Sequence, residues 1–334
     1  RGVDEFELIA RYFAPLAAGE PGALGLADDA AVLAMPPGRH LVVTADMLVE
    51  GVHFRADDPP DSLGIKALGV NLSDLAAMGA EPRAYLLALA LPAAWPETRR
   101  QPWLASFAEG LRTMQREFAI PLAGGDTVAT PGPLSLAITA IGTAPEGGTL
   151  RRAGGRPGDV VWVSGTIGDG ALGLRVLNGD HLLDDADLVA TLVDRYRRPR
   201  PRLALGRALT GIAHACADVS DGLIADLRHI CQASQVSAVV EAERVPLSAA
   251  ARAAVRRDPR LWTTVLTGGD DYELVFIAAA ADSERVQRAA ADTATAVSAI
   301  GRLFDAPATE AGSVGVLAGD GRRFEPEDDG WKHF

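Results

Sequence analysis

Six stretches of this 334-residue chain close an apolar run or a helical turn with aspartate set among Gly, Ser or Thr: Asp28-Asp29, Asp46, Asp74, Asp126, Asp218 with Asp221, and Asp270-Asp271. One such aspartate is ordinary turn chemistry, because its side chain caps nearby backbone N–H groups. Six constrain the fold far more, since acids at the ends of so many elements meet only where those ends converge. Two carboxylates about 4 Å apart repel by about 4 kcal/mol at an effective dielectric of roughly 20, so a cluster of them needs cations. Hard oxygen donors without a thiolate among them favour Mg²⁺, Mn²⁺ or Ca²⁺ over zinc. The pattern predicts a magnesium–polyphosphate site assembled from the whole chain.

Charge narrows the partners. A net charge of −12 and a pI near 5.0 argue against nucleic acid and anionic membrane surfaces. The longest apolar stretch, Ala84 to Trp95, contains a proline and falls short of the roughly 20 residues that span a bilayer. No signal peptide is visible, although Arg1 in place of Met suggests that the start is missing or processed. Cys216 and Cys231 are the only cysteines, outside any CxxC, and read as buried free thiols in a reducing cytoplasm.

The length suits about two domains. Residues 40–49 read as a strand whose second half delivers Thr44 and Asp46. Asp61, as N-cap, opens a helix with Leu68, Leu72 and Leu75 at helical spacing and Gly79 as its stop, which aligns Asn71, Asp74 and Met78 along one face. A buried strand at 84–91, an amphipathic helix at 97–118, a short strand at 120–124 running into Gly124-Gly125-Asp126, and a strand at 134–143 complete the first half. A Gly/Pro-rich stretch, Ala144 to Gly158, marks the boundary. The second half reads as a strand at 159–164, helices near 169–177, 185–197, 221–234 and 283–293, a strand near 237–241, and a hairpin around Gly319-Asp320-Gly321. The expected class is α+β (mixed α/β), with an N-terminal sheet domain bearing helices over 1–146 and a C-terminal α/β domain over 147–334. Acid-ended strands in both halves suggest a cleft between them.

Each motif has a plain structural reading beside the functional one. In Ala217-Asp218-Val219-Ser220-Asp221-Gly222 two acids flank a helix start; a capping box explains Ser220 or Asp221, but hardly both acids and Gly222. Gly268-Gly269-Asp270-Asp271-Tyr272-Glu273 sets two glycines and three acids between apolar strand segments, which suits either a wide turn or close approach of a ligand. The Gly124-Gly125-Asp126-Thr127 glycines would let backbone N–H groups close around a phosphate. Asp74 lies mid-helix, either on the site or on the surface. His53 could meet an anionic substrate or simply pack, and Trp331 could stack on a ring or anchor the tail. Gly168-Asp169-Gly170-Ala171-Leu172-Gly173 is a literal GxGxxG, but a dinucleotide site needs an acid about 20 residues on at a strand end, and that region reads as helix 185–197. A tight turn with close helix packing suffices. No GxxxxGK[ST] occurs, and Lys66 and Lys332 are the only lysines, so positive charge for phosphates falls to arginine, with Arg151-Arg152 best placed.

Read together, VNLSDLAAMGA (Val70–Ala80), GGDT (Gly124–Thr127), DVSDGLIADL (Asp218–Leu227) and GGDDYEL (Gly268–Leu274), with EFELIARYF near the start and WKHF at the end, resemble the thiamine-monophosphate kinase family. That family shares the two-domain aminoimidazole ribonucleotide synthetase-like fold. The resemblance implies that Asp28, Thr44, Ala45, Asp46, Asp74, Asp126, Asp218 and Asp221 bind several Mg²⁺ ions, Ala45 through its carbonyl only. It implies that Gly125, Asp126, Phe118, Arg152 and Ser220 hold ATP as co-substrate, and that His53, Asp270 and Trp331 contact thiamine monophosphate. Asp46, Asp126, Asp218 and Arg152 would carry the chemistry. A homodimer joined through the N-terminal sheets follows from the same resemblance. Where the family has GxGDD, Ser-Thr-Asp and GGEDYE, this chain has Gly25-Leu26-Ala27-Asp28-Asp29, Thr44-Ala45-Asp46 and GGDDYE.

The expected reaction is in-line transfer of the ATP γ-phosphoryl group to the phosphate of thiamine monophosphate, with no phosphoenzyme. The alternatives are another ATP-dependent enzyme of the superfamily, of the aminoimidazole ribonucleotide synthetase kind, and a non-catalytic metal–nucleotide binding protein.

Overall fold

A computed structural model describes residues 5–305, 311–319 and 322–324. It contains two compact units, Arg1–Leu75 with Ala80–Glu146, and Ala76–Gly79 with Gly147–Phe334. No helix among the described residues is long and apolar enough to cross a membrane.

The first unit opens with short turns: α1 (Glu5–Leu8), a wide turn at Ile9–Phe13, α2 (Ala14–Ala17) and a tight turn at Pro21–Leu26. Then come β1 (Arg39–Val49), α3 (Pro60–Ala77), β2 (Glu81–Pro92), α4 (Glu97–Phe118), β3 (Leu122–Thr130) and β4 (Ser135–Pro145). The strands form one sheet in the order β1-β4-β2-β3, antiparallel except for β2–β3. Leu68, Leu72 and Leu75 of α3 are fully buried. The chain leaves α3 through Gly79 at φ +66°, with the Ala80 N–H returning to the Leu75 carbonyl, a glycine stop that satisfies the last carbonyls. The helix starts at Pro60, so Asp61 lies inside the first turn rather than at its cap. Helices α3 and α4 touch through backbone: a Cβ on Gly64 would meet the Phe107 carbonyl at 2.4 Å, and one on Gly110 the Asp61 carbonyl at 2.0 Å.

The GGDT run lies within β3 and not after it, correcting the expected strand end at 124. Residues from Gly124 to Thr130 pair with those from Leu86 to Pro92, and a Cβ on Gly125 would come within 1.9 Å of the Leu87 carbonyl. The neighbouring strand therefore already demands that glycine.

The second unit holds β5 (Val160–Ser164), α5 (Asp169–Leu177), α6 (Ala186–Arg197), α7 (Leu203–Ala208), β6 (Ala213–Asp218), α8 (Leu223–Ser234) and β7 (Ser237–Glu241). It continues with α9 (Ala249–Arg257), α10 (Leu261–Thr267), β8 (Leu274–Ala278), α11 (Ser283–Asp292), β9 (Val297–Phe304), β10 (Val314–Leu317) and β11 (Arg323–Phe324). Its seven-stranded sheet runs β11-β10-β7-β9-β5-β8-β6, antiparallel except for β10–β7. Strands β10 and β11 form the expected hairpin pair, while Asp320 and Gly321 lie outside the described residues. Residues before Gly268, expected as strand, form α10, because Leu261 and Val265 share a helical face against the core. Cys216 and Cys231 are buried free thiols, and burial pushes the Cys231 thiol up to about 12.

Glu273, with no exposure, ties this unit together at the entry to β8. Its carboxylate accepts from Arg202 at 2.7 and 2.5 Å, from Arg195 at 2.9 Å and from the Ser164 hydroxyl at 2.6 Å. Removing one partner of a buried ion cluster leaves the others desolvated and unpaired, which costs about 3–5 kcal/mol. Glu273→Ala should lower the unfolding free energy by that amount in denaturant titrations; an unchanged midpoint would show that the cluster contributes nothing net.

Candidate active site

In the first unit the predicted ligands of β1 and α3 meet. The Thr44 hydroxyl donates to the Asp74 carboxylate. The Asp46 N–H donates to Asn71 Oδ1 at 3.1 Å, and Asn71 Nδ2 donates one turn back to the Ala67 carbonyl at 3.0 Å. Buried Asn71 thus bolts the strand to the helix and fixes the spacing of Thr44, Asp46 and Asp74. Strand alternation puts Thr44, Asp46 and Leu48 on one face and Val43, Ala45 and Met47 on the other. A hydroxyl at position 45 would therefore point away from Asp74, so Ala45 removes no side-chain donor from this face. In the turn after β1, His53 Nδ1 accepts from the Val49 N–H at 3.1 Å, which places the proton of the neutral ring on Nε2.

One predicted residue stands apart from that pair of acids. Asp126 registers through Ala88 and Ala137 with Met47, on the opposite face. It also lies on the opposite edge of the sheet, three strand spacings or about 14 Å away. Asp28 and Asp29 are exposed just past the turn at Pro21–Leu26, which packs on β3. In that turn Leu24, Gly25 and Leu26 take φ +51°, +67° and +59°, whereas Ala27 sits at φ −104°. Alanine at 27 is therefore unstrained. Phe118 is half-buried at the end of α4.

In the second unit ADVSDGL and GGDDYEL lie side by side. Asp218, buried at the end of β6, pairs with Leu274; the Val219 N–H donates to the Glu273 carbonyl and the Tyr272 N–H to the Val219 carbonyl, both at 2.8 Å. The Asp270 N–H donates to the Ser220 carbonyl at 2.9 Å, and a Cβ on Gly269 would meet that carbonyl at 2.0 Å. Asp270 and Tyr272 take φ +67° and +52°, left-handed values that non-glycine residues hold only where surroundings impose them. The Tyr272 hydroxyl donates to Asp270 at 3.1 Å.

The three acids of GGDDYEL separate by environment. Glu273 belongs to the ion cluster above. Asp271, also buried, accepts from the Gly168 N–H at 2.9 and 2.8 Å and from the Gly170 N–H at 3.3 Å, so it occupies the start of α5. Burial above all raises its pKa well beyond the carboxylate range, against those backbone hydrogen bonds. The GxGxxG segment is thus a tight turn closed by the protein's own carboxyl group, and a Cβ on Gly173 would meet the Leu192 carbonyl of α6 at 2.1 Å. Asp270 remains half-buried beside Ser220.

Sequence reasoning passed over Asp226. Its Oδ2 accepts from the Ser220 and Asp221 N–H groups, each at 3.0 Å, and orients the loop that carries both predicted ligands. Its only signal is an acid in the first turn of a helix, which is too common to stand out. Burial first, then the Asp221 carboxylate, push Asp226 up to about 7; the two N–H groups and the Arg152 charge oppose this.

Among the described residues no three acidic, histidine or cysteine side chains converge on one point. Mg²⁺ is commonly held by one or two carboxylates with phosphate oxygens and waters completing its octahedron, and the Thr44, Asp46 and Asp74 oxygens fit that kind of site.

Residues 27–144 match the family model of the AIR synthase related protein N-terminal domain, and residues 156–312 that of its C-terminal domain. A thiamine-monophosphate kinase of Caulobacter vibrioides is 44% identical over 98% of this chain and 90% of its own. The chain belongs to the thiamine-monophosphate kinase family. The crystal structure of a thiamine-monophosphate kinase from Stenotrophomonas maltophilia K279a is similar at TM-score 0.80 and 40% identity, covering 94% of this chain and 98% of that one. A solved complex of AaThiL with AMPPCP and TMP is similar at TM-score 0.76 and 29% identity, covering 99% and 97%. Among the motifs by which this chain resembles the thiamine-monophosphate kinases, only the tail with Trp331 lies outside the described residues.

The sign of the Asp226 shift gives a test. A carboxyl raised from 3.8 to about 7 stabilises fully below its ordinary value, and that contribution is lost as pH rises through about 7. Unfolding free energy of the metal-free protein should therefore fall across this window, by a few kcal/mol at about 1.4 kcal/mol per unit. Asp226→Asn should flatten the profile in denaturant titrations; an unaltered slope would assign the dependence elsewhere.

Proposed function

We propose that this chain transfers the γ-phosphoryl group of ATP to the phosphate of thiamine monophosphate, giving thiamine diphosphate and ADP. Membership of the thiamine-monophosphate kinase family carries this reading, and the acid-bearing loops suit it chemically. The acceptor is a phosphate monoester with a second pKa of about 6, so at neutral pH it is already largely deprotonated and needs no general base. The obstacle is bringing two polyanions together. Mg²⁺, when bound by these acids, would supply the positive charge that neutralises the two phosphate groups.

In this reading Asp28, Thr44, the Ala45 carbonyl, Asp46, Asp74, Asp218 and Asp221 hold ions, and Asp126, on the other face of the first sheet, holds one there. Gly125, Phe118, Arg152 and Ser220 hold ATP. His53, with its proton on Nε2, meets the acceptor together with Asp270 and Trp331. Transfer is direct, without a phosphorylated residue.

Product analysis with ATP and Mg²⁺ should give thiamine diphosphate from thiamine monophosphate and nothing from thiamine or formylglycinamidine ribonucleotide offered in parallel. Turnover of the ribonucleotide alone would move the chain to purine chemistry, and ATP binding without ADP release would make it a binding protein. Asp46→Asn and Asp126→Asn should each lower kcat at least about 100-fold with the fold intact; unchanged kinetics would remove that residue from the ion site.

We further propose a homodimer built on the exposed sheet face of the first unit. Leu41, Val43 and Met47 on that face are 57%, 58% and 59% exposed, an apolar surface that a monomer rarely leaves in water. Asp126 belongs to the same face, at its β3 edge. Sedimentation equilibrium should give the mass of two chains, and a Val43→Glu, Met47→Glu double variant should sediment as one chain; a wild-type monomer would end the proposal.

A further inference from the structure

Helix α8 is anchored by polar contacts at both ends. At its start Asp226 takes the Ser220 and Asp221 N–H groups, each at 3.0 Å. At its last residue the Ser234 hydroxyl accepts from the Gly155 N–H at 3.0 Å and the Gly154 N–H at 3.2 Å, and donates to the Arg152 carbonyl at 3.2 Å. A serine hydroxyl has one proton and two lone pairs, so these three bonds exhaust it. A serine inside a helix usually turns to water or to the carbonyl one turn back; this one is committed entirely to a loop some 80 residues away in sequence.

The loop is shaped to receive it. Gly154 sits at φ +129°, where a Cβ would meet the His214 carbonyl at 2.3 Å; a Cβ on Gly155 would meet Leu303 Cδ1 at 2.7 Å and Ser234 Oγ at 3.2 Å. The Cys216 N–H donates to the Arg151 carbonyl at 2.8 Å and pins the other end of the loop to β6. Arg152 itself is exposed, and its charge acts on the Asp226 carboxyl at the opposite end of the same helix. One rigid helix therefore sets the separation between the Arg152 backbone and the Ser220–Asp221 loop.

We propose that Ser234 is a positioning residue for nucleotide binding, holding the Arg152 backbone so that the guanidinium faces the polyphosphate beside Ser220. This rests on the reading of Arg152 and Ser220 as nucleotide contacts. Ser234 touches no reacting atom; losing its hydroxyl lets the loop drift and weakens ATP capture, while acceptor capture is untouched.

The test is steady-state kinetics of the full chain with each substrate varied at saturation of the other, for wild type, Ser234→Ala, Ser234→Thr, Arg152→Ala and the Ser234→Ala, Arg152→Ala double variant. Ser234→Ala should raise KM for ATP about tenfold with KM for thiamine monophosphate unchanged. Ser234→Thr should restore it, and the double variant should be no worse than Arg152→Ala alone. If Ser234→Ala lowers Tm but leaves KM for ATP at the wild-type value while Arg152→Ala raises it, the inference falls and the role of Arg152 stands. If Arg152→Ala itself leaves KM for ATP unchanged, both fall.

Discussion

A carboxylate with no access to water persists in the second unit because two guanidinium groups and a hydroxyl surround it. Glu273 meets Arg195, Arg202 and Ser164 where α6, the segment leading into α7, β5 and β8 come together. With that position fixed, the residues just before it have little freedom. Asp271 is carried to the start of α5, Tyr272 and Asp270 are forced into left-handed backbone, and the Asp270 N–H falls on the Ser220 carbonyl. A conformation this strained needs rigid surroundings on both sides, and the ion cluster and the α5 turn provide them. The acid left half-buried at the loop surface is there because its two acidic neighbours are spent on structure.

The first unit solves a different problem with a weaker interaction. The edge strand β1 has one side chain in two pointing away from the core, so Thr44 and Asp46, which face α3, could slide with the strand. The Asn71 amide prevents this by taking the Asp46 N–H while holding its own helix. A neutral amide suits this task, since a buried charge there would need a partner of its own. On the far edge β3 is held by backbone contact at Gly125, which leaves its acid on the other face.

Most elements were legible in the amino-acid sequence because periodicity and stop signals agreed: Leu68, Leu72 and Leu75 with Gly79 marked α3, and helix 97–118 was read at its observed bounds. The α+β class and its superfamily were legible too, through motifs spread along the chain. The misreadings share a cause. The GGDT run looked like a loop because glycine pairs usually are one, and only the β2 backbone, remote in sequence, makes it strand. The run before Gly268 looked like strand because its β-branched residues are ambiguous over so short a length. The site showed the same division. Asp74 with Thr44, and Asp218 with Ser220 and Asp221, could be suspected from type and spacing. The work of Asp226, Asn71 and Ser234 could not, since each acts through backbone groups that only the folded chain brings near.

These hidden contacts also limit what two of the loops can offer a ligand. A loop of this composition at a helix start ordinarily presents N–H groups to an anion. Here the N–H groups are already taken: Asp271 occupies those at α5, and Asp226 those of Ser220 and Asp221. In the α5 turn the side-chain acids are buried and bonded as well, so the half-buried Ser220 hydroxyl and Asp221 carboxylate are what these loops still offer a ligand. In the proposed reading the Ser220–Asp221 loop therefore serves a bound cation through its side chains and does not cradle a phosphate with its backbone. The chain has net charge −12 and two lysines, so side-chain positive charge for a polyphosphate comes from arginine. In that reading phosphate recognition falls to Mg²⁺ and to arginine, and the proposed role of Ser234 makes the backbone that carries Arg152 matter as much as its charge.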